Sequence, residues 1–540
     1  MTDRVRDTRR TKGRQAVAII APVCLLCAQL LLLLFFGLQK KGFHEDEYYS
    51  YYSSNRSAGF SVPDGTWVDT SDLLRELVVE PGEGFRYGLV HRVQSWDVHP
   101  PLFYDLLHTV CSLTPGVFSK WQGLTVNLIA FVLCYILLWL LTGQLSLPWP
   151  LRLLFQAIWG FHPMTISCVM FLRMYMWLTV WVLACALLHL RLMSQDEAGR
   201  DGYLRKRLWI ALCAVNFLGF LTHYYYVLFL AGCAIGYGLH LLFFRRQNPM
   251  SGRLRMLIHY GGITLLSLLA TVPVYPSSIV HILRGYRGRE AASSFFDLSN
   301  LGLRTGFFLG LLNDGLFGGF LWLILAVIAV LWILSLLSGG KKHSPPLLYL
   351  MLAAGVYFLL VSRTALLLGD TSHRYEMPVY PLLLLPVVAG LWQGIMFISG
   401  HRKVIATAMV GTVFGLLIVA GLSFRHQVLF LYPEAAARLE QAREAAAQNI
   451  PAVVLYRQAT PDHVWYLTQE LLAYPAVLFQ CEDADISTGP ELRQADALIA
   501  YAADGERREA ALQAIAGTGR QITPLWAYQL WTAYELEPAD

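Results

Sequence analysis

Eleven apolar stretches, each close to the length of one bilayer crossing, constrain this 540-residue chain more than any other feature. They cover residues 16–38, 121–142, 149–170, 172–193, 207–223, 224–244, 256–275, 315–338, 346–366, 378–398 and 403–423. About 20 apolar residues in helical conformation match a hydrocarbon core of about 30 Å, so each stretch reads as a transmembrane helix. Composition agrees. With 56% hydrophobic and 15% charged residues and a mean hydropathy of +0.46, the chain falls among polytopic membrane proteins and outside the ordinary soluble class. The first stretch ends without a small-residue cleavage site and reads as a retained helix.

Charge sets the expected orientation. Residues 1–15 carry six basic and two acidic side chains, whereas 432–540 carry seven basic and sixteen acidic. Positive residues stay on the cytoplasmic side, so 1–15 is expected to be a cytoplasmic N-terminus and the acidic end to lie outside. Arg200, Arg205, Lys206 and Arg207 fill one loop, and Arg245, Arg246, Arg253 and Arg255 another. Lys341 with Lys342, and Arg402 with Lys403, fill two more, and all four loops fall on the expected cytoplasmic side. This parity requires that "PPLFYDLLHTVCSL" (100–113) does not cross. It is too short to span and carries Asp105 and His108, so it is expected to lie along the outer surface as an interfacial helix. The first outer loop is then 39–120, and its part 39–99 holds ten acids against six bases.

Beyond residue 432 the pattern changes to soluble α/β. "PAVVLY" and "ADALIAYA" read as buried strands, "GERREAALQAIAG" as an amphipathic helix stopped by Gly517, and "PLWAYQLWTAYELE" as one or two strands. The expected architecture is an all-α polytopic domain over 16–425 with about eleven helices, N-in and C-out, followed by a small extracytoplasmic α/β domain over 432–540. Of nine cysteines only Cys481 lies plainly in an aqueous region, and no spacing resembles a zinc ribbon or a disulfide framework.

On this topology the polar motifs gather on one side. "GFHEDEYYSYY" (42–52) follows the first span and sets Glu45, Asp46 and Glu47 in a row. "WDVHPPLFY" (96–104) brings Asp97, His99 and Tyr104, and "LRMY" (172–175) brings Arg173 and Tyr175. "THYYY" (222–226) adds His223 and Tyr224, and "RYEMPVYP" (374–381) adds Arg374 and Tyr375. Five clusters expected at one depth define a candidate cavity at the outer face, where ionisable residues are functional candidates. A carboxylate there can accept the proton of a hydroxyl nucleophile, arginine can hold a phosphate leaving group bidentately, and aromatic faces can stack on sugars. A lipid-phosphate-linked sugar suits that inventory, because its tail lies in the bilayer and its reactive carbon at the interface.

Plainer uses stand beside these. Asp97 and His99 can cap the helix that Pro100 and Pro101 start. Arg173 and the tyrosines of "THYYY" can anchor at lipid headgroups. "HILRGYRGRE" (281–290) places Arg284, Arg287 and Arg289 outside against the charge rule, which suits either a lipid phosphate or anionic headgroups. His162, beside Pro163, reads as a packing residue.

Taken in order, Asp46 and Glu47, "HPPLFY" (99–104), "RMY" (173–175), "THYY" (222–225) and "RY" (374–375) resemble the GT-C glycosyltransferases. The resemblance is to the branch of protein O-mannosyltransferases and of aminoarabinose transferases acting on lipid A (glycosyltransferase families 39 and 83). No single motif is specific, but the ordered set covers about residues 20–425. The resemblance implies a GT-C fold and an inverting transfer from a polyprenyl- or dolichyl-phosphate sugar. It implies Asp46 as general base with Glu47 supporting it, while Glu45 competes on sequence grounds. It also implies a loop after the seventh span that closes over the donor, hence Arg284 and Arg287 as phosphate contacts.

The implied substrate-binding set is completed by Asp97, His99, Tyr104, Arg173, Tyr175, His223, Tyr224, Arg374 and Tyr375. The implied partners are the lipid-phosphate sugar, a glycan, lipid or protein acceptor, and membrane lipids, with no nucleic acid. The branch implies a multi-pass protein of the bacterial plasma membrane with an extracytoplasmic site. Some GT-C branches use a divalent cation, but His44, Glu45, Asp46, Asp97 and His99 match no standard ligand spacing, so no metal site is assigned. The rival classes are a transporter, which calls for broken helices or charges near mid-membrane, and a noncatalytic scaffold.

Overall fold

Each expected apolar stretch is helical over most of its length in the computed structural model, which describes residues 2–55, 62–197, 203–244, 249–337, 345–423, 428–482, 486 and 489–539. Arg200, Arg245, Arg246, Lys341 and Lys342 of the basic loops lie outside the described residues. Among those described, seven helices are long and apolar enough to cross a membrane, or up to nine if each of two bent helix pairs is one span. This is a multi-pass membrane protein. The other two expected spans are the helices Tyr203–Thr222 and Met250–Leu269. Arg205, Lys206 and Arg207 in the one, and Arg253 and Arg255 in the other, lower their hydropathy below that of the nine.

Both bends have a local cause. Helices Trp149–Phe161 and Pro163–Met170 meet at 52°. His162 sits between them, and Pro163 cannot donate to the preceding turn. The ring of His162 repairs the break: Nδ1 accepts the amide of Met164 at 3.2 Å, and Nε2 lies 3.0 Å from the carbonyl of Leu316. Leu301–Leu316 and Leu321–Leu337 meet at 82°. There Gly318 and Gly319 take φ of 57° and 86°, a left-handed region that favours glycine. The apolar stretch 315–338 therefore straddles a corner.

The chain forms two compact units. One comprises Met1–Gly37, Gln94–Phe103 and Leu124–Leu429. In it, helix Tyr226–Leu239 approaches helix Pro345–Thr364 closely because Gly232 and Gly236 are one turn apart. A Cβ at Gly232 would lie 2.7 Å from the carbonyl oxygen of Ala353, and one at Gly236 would lie 2.5 Å from the ring of Tyr349. Small residues at this spacing let membrane helices pack backbone to backbone.

The second unit comprises Leu38–Val93, Tyr104–Gly123 and Phe430–Asp540. Its centre is a six-stranded sheet of β1 (Thr66–Asp69), β2 (Ala452–Tyr456), β3 (Ala476–Cys481), β4 (Leu498–Ala503), β5 (Arg520–Tyr528) and β6 (Trp531–Pro538), in the order β1-β3-β2-β4-β6-β5. β2 pairs parallel with β3 and β4, and the other pairings are antiparallel. Alternate residues of β2 feed two cores: Val454 and Tyr456 pack on one face, Val453 and Leu455 on the other. A strand buried on both faces reads as a continuous apolar run, which is why "AVVLY" was visible in the sequence. Gly517 stops helix Arg508–Ala516 at a φ of 65°. The sheet is not built from 432–540 alone. Its edge strand β1 comes from the segment after the first apolar helix, where four residues of "TWVD" are too few to carry an alternation signal.

Candidate functional site

In the first unit, three apolar helices begin at the polar motifs. Residues 171–174 separate helix Pro163–Met170 from helix Tyr175–Glu197. Asn127 holds that break by donating its amide to the carbonyls of Val169 (3.0 Å) and Phe171 (2.7 Å). Residues 223–225 separate Tyr203–Thr222 from Tyr226–Leu239, and His223 Nδ1 accepts the amide of Tyr225 at 3.0 Å. Arg374 and Tyr375 lie on the short helix His373–Glu376, ahead of Tyr380–Ile398.

These breaks bring the motif residues together. His99 Nδ1 lies 2.9 Å from Asp97 Oδ2, and an Arg173 guanidinium nitrogen lies 3.5 Å from His99 Nε2. The carboxylate thus fixes a tautomer in which His99 donates through Nδ1 and accepts through Nε2. The ring of His223 is 6.0 Å from that of His99 and 5.6 Å from that of Tyr175. Tyr375 stands 6.0 Å from both Tyr175 and Tyr225. Arg374 donates to the Tyr375 hydroxyl at 3.1 Å, and its guanidinium lies over the rings of Tyr375 (5.0 Å) and Phe171 (5.7 Å). Arg173 and Arg374 are only 4% and 5% exposed. Burial pushes the Asp97 carboxyl up, but His99 and Arg173 outweigh it and hold it below the usual carboxylate range. The N-termini of Tyr175–Glu197 and Tyr226–Leu239 add positive dipole ends to the guanidiniums of Arg173 and Arg374, which together outnumber the one carboxylate of Asp97.

Tyr224 enters through a residue that motif reading overlooked. Its hydroxyl lies 3.1 Å from His281 Nδ1, and His281 Nε2 lies 3.2 Å from the carbonyl of Ser95. His281 opens the arginine-rich stretch, where only the arginines drew notice. Arg287 is exposed and pairs with Glu290 at 2.8 Å. Arg284 ends helix Ser277–Leu283 as an exposed side chain without a hydrogen bond or ion pair among the described residues. Tyr104 is fully buried and belongs to the second unit, apart from this cluster in the division of the chain.

In the second unit the three consecutive acids take different places on helix Glu45–Asn55. His44 is the N-cap: its Nδ1 accepts the amide of Asp46 at 3.1 Å, while Glu47 reaches back to accept the His44 amide at 2.6 Å. The contact from Glu47, at the third helical position, is one half of a capping box, while His44 caps the second amide instead of the third, with acids where the helix dipole is positive. Glu47 is completely buried against Lys40, whose ammonium donates to both carboxylate oxygens (3.1 and 3.0 Å) and to the carbonyl of Phe430 (2.7 Å). Burial lowers the Lys40 pKa in spite of that pairing. Glu45 takes the hydroxyl of Tyr49 at 3.3 Å and also that of Tyr466. Asp46 lies 3.5 Å from His44 and keeps 29% of its side chain exposed.

Against solved structures, the chain aligns with the aminoarabinose transferase ArnT of Cupriavidus metallidurans in the apo state at 13% identity. The alignment covers 95% of this chain and 97% of that one, with a TM-score of 0.50. The fold is GT-C. The same protein bound to undecaprenyl phosphate aligns at 12% identity and a TM-score of 0.49 over the same shares. The oligosaccharyltransferase AglB of Archaeoglobus fulgidus, in complex with an inhibitory peptide and a dolichol-phosphate, aligns at 11% identity and a TM-score of 0.44, over 92% of this chain and 70% of that one. No protein-family model and no curated protein matches the chain. At such identities the likeness concerns the fold alone.

Proposed function

We propose that this protein is an integral membrane glycosyltransferase that moves a sugar from a polyprenyl-phosphate-linked donor to an acceptor hydroxyl at the outer face of the plasma membrane. One observation carries the reading. Motifs far apart in sequence, at Asp97–His99, Arg173–Tyr175, His223–Tyr224 and Arg374–Tyr375, form one group of guanidinium, imidazole, phenol and carboxylate near the starts of apolar helices, with its arginines buried and Asp97 and His99 partly exposed. In this reading the group holds the donor phosphate, with Arg287 beside it and Arg284 supplied by the same segment.

Asp46 takes the proton of the acceptor hydroxyl. The acceptor oxygen then bonds to the anomeric carbon, the bond from that carbon to the phosphate oxygen breaks with inversion, and the lipid phosphate leaves as an anion. Of the three acids, Asp46 is the one the family resemblance points to and it keeps 29% of its side chain exposed, while Glu47 serves as a positioning residue through Lys40 and the cap. An ordinary aspartate is ionised at neutral pH but weakly basic, so much of the acceleration comes from placement and from stabilising the departing phosphate. Eleven crossings, with Tyr203–Thr222 and Met250–Leu269 included, give the N-in, C-out arrangement and leave 432–540 extracytoplasmic.

The test is sugar release from a polyprenyl-phosphate donor by purified protein. Asp46→Asn is expected to slow turnover by about 10²–10⁴-fold, the usual contribution of a general base. Unchanged turnover in Asp46→Asn would remove its assigned role, and no release by the wild type from any such donor would remove the function itself.

A further inference from the structure

Deep in the first unit, a second polar group has no part in the proposed transfer. Cys185 and His189 lie on helix Tyr175–Glu197, one turn apart and therefore on one face. Cys233, on helix Tyr226–Leu239, meets them there. All three are buried, and one donor atom from each lies within 4.8 Å of the others. Cys185 Sγ is 3.6 Å from His189 Nδ1. Bond lengths of about 2.3 Å to sulfur and about 2.05 Å to nitrogen at a tetrahedral angle place such donors about 3.6 Å apart around zinc. The far side of the ring is also prepared: His189 Nε2 lies 2.9 Å from the hydroxyl of Tyr260. When that hydroxyl accepts from Nε2, Nδ1 gives up its proton and its 2.8 Å contact with the carbonyl of Cys185 and turns a lone pair toward the sulfurs.

We propose that Cys185, His189 and Cys233 bind one zinc ion among the apolar helices. Charge favours a divalent ion in so dry a place, because two thiolates and a neutral imidazole bring the complex to zero net charge. Binding releases two thiol protons to solvent, so affinity falls as pH falls. Three protein donors leave the fourth position of the tetrahedron to a small exogenous ligand. At about 1.5 Å of rise per residue, Cys185 is some 15 Å along its helix from Tyr175, so this ion is separate from the donor-phosphate group. The proposal does not rest on the transferase reading.

Metal analysis of the full-length chain, purified in detergent from zinc-supplemented cells, is the first test. About one zinc per chain is expected in the wild type, with loss in Cys185→Ser and Cys233→Ser and retention in Cys213→Ser and Asp46→Asn. Tyr260→Phe is expected to weaken zinc binding by about tenfold. Because a serine variant can misfold, the wild type stripped by chelator and refilled with Co²⁺ provides the second readout, a thiolate-to-cobalt charge-transfer band. Wild-type protein with no more zinc than Cys185→Ser, copper in place of zinc, or cobalt-loaded protein without that band would each overturn the proposal.

Discussion

The two polar groups of the first unit solve the same problem in opposite ways. The Asp97–His99–Arg173–His223–Arg374 group is made where helices stop. A break frees backbone amides, and a side chain at the break takes one up, as His223 does by accepting the amide of Tyr225. The Cys185–His189–Cys233 group is made where helices run unbroken. Its polar atoms satisfy one another across helices, through the Tyr260 hydroxyl on His189 and the Tyr349 hydroxyl on the carbonyl of Cys233 at 3.1 Å. A break can face ligand and water. An unbroken span has only its neighbours, because lipid offers no hydrogen bonds. The contrast teaches that the first arrangement suits a charged substrate and the second a complex of zero net charge.

The sharpest test of the contrast is at the breaks. Arg374→Ala is expected to lower sugar release by about 10²–10³-fold, as loss of a donor to a developing anion does. Arg374→Lys should recover only part, because an ammonium cannot reproduce the bidentate fork. If both variants transferred sugar at the wild-type rate, the breaks would be structural joints only.

The same distinction between dry and open polar pairs extends to the second unit, where it predicts a smaller effect on stability. Lys40→Met strands Glu47 in the interior and should cost about 3–5 kcal/mol, whereas Lys40→Met combined with Glu47→Leu should cost much less. Thermal unfolding in detergent reads both, and equal losses in the single and double variants would deny that the pair is desolvated.

The smallest expected effect is on an open pair. His91 Nε2 lies 3.0 Å from Asp105 Oδ2, and the hydrogen bond it donates to that carboxylate raises the His91 pKa although burial opposes it. Burial raises that of Asp105 as well. In both groups the folded state holds its proton more tightly than the unfolded chain does. For His91 the resulting stability is fully present below about pH 6.5 and is lost as pH rises through the higher folded value. Neighbouring His108, whose pKa burial lowers, works in the other direction. The difference in melting temperature between wild type and His91→Gln isolates the pair: it should shrink from about pH 5 to about pH 8. A difference that stayed constant would show that the pair carries no linkage.

Much of the candidate site was legible because span ends advertise themselves. Arg173, His223 and Arg374 interrupt or flank apolar runs, and an ionisable residue there stands out from a background of leucine. Glu47 was legible as an acid but not as a buried one. Nothing in "HEDE" says which carboxylate will find Lys40, since that depends on how the helix cap turns and where the carbonyl of Phe430 arrives from almost 400 positions away. His281 went unnoticed beside three arginines. Cys185 and His189 showed a helical i,i+4 spacing, but a pair without a third donor is unremarkable, and Cys233 comes from a helix beyond the next one.

By itself, the sequence determined where most apolar helices lie and the two-faced burial of β2. Each follows from local hydrophobic length or periodicity, which a linear chain displays openly. The tertiary structure alone decided which acid is buried, that β1 joins the sheet, where the spans bend and which side chains meet across helices. Those outcomes depend on contacts between segments far apart in the chain, whose geometry is set only when close packing selects one neighbour among many.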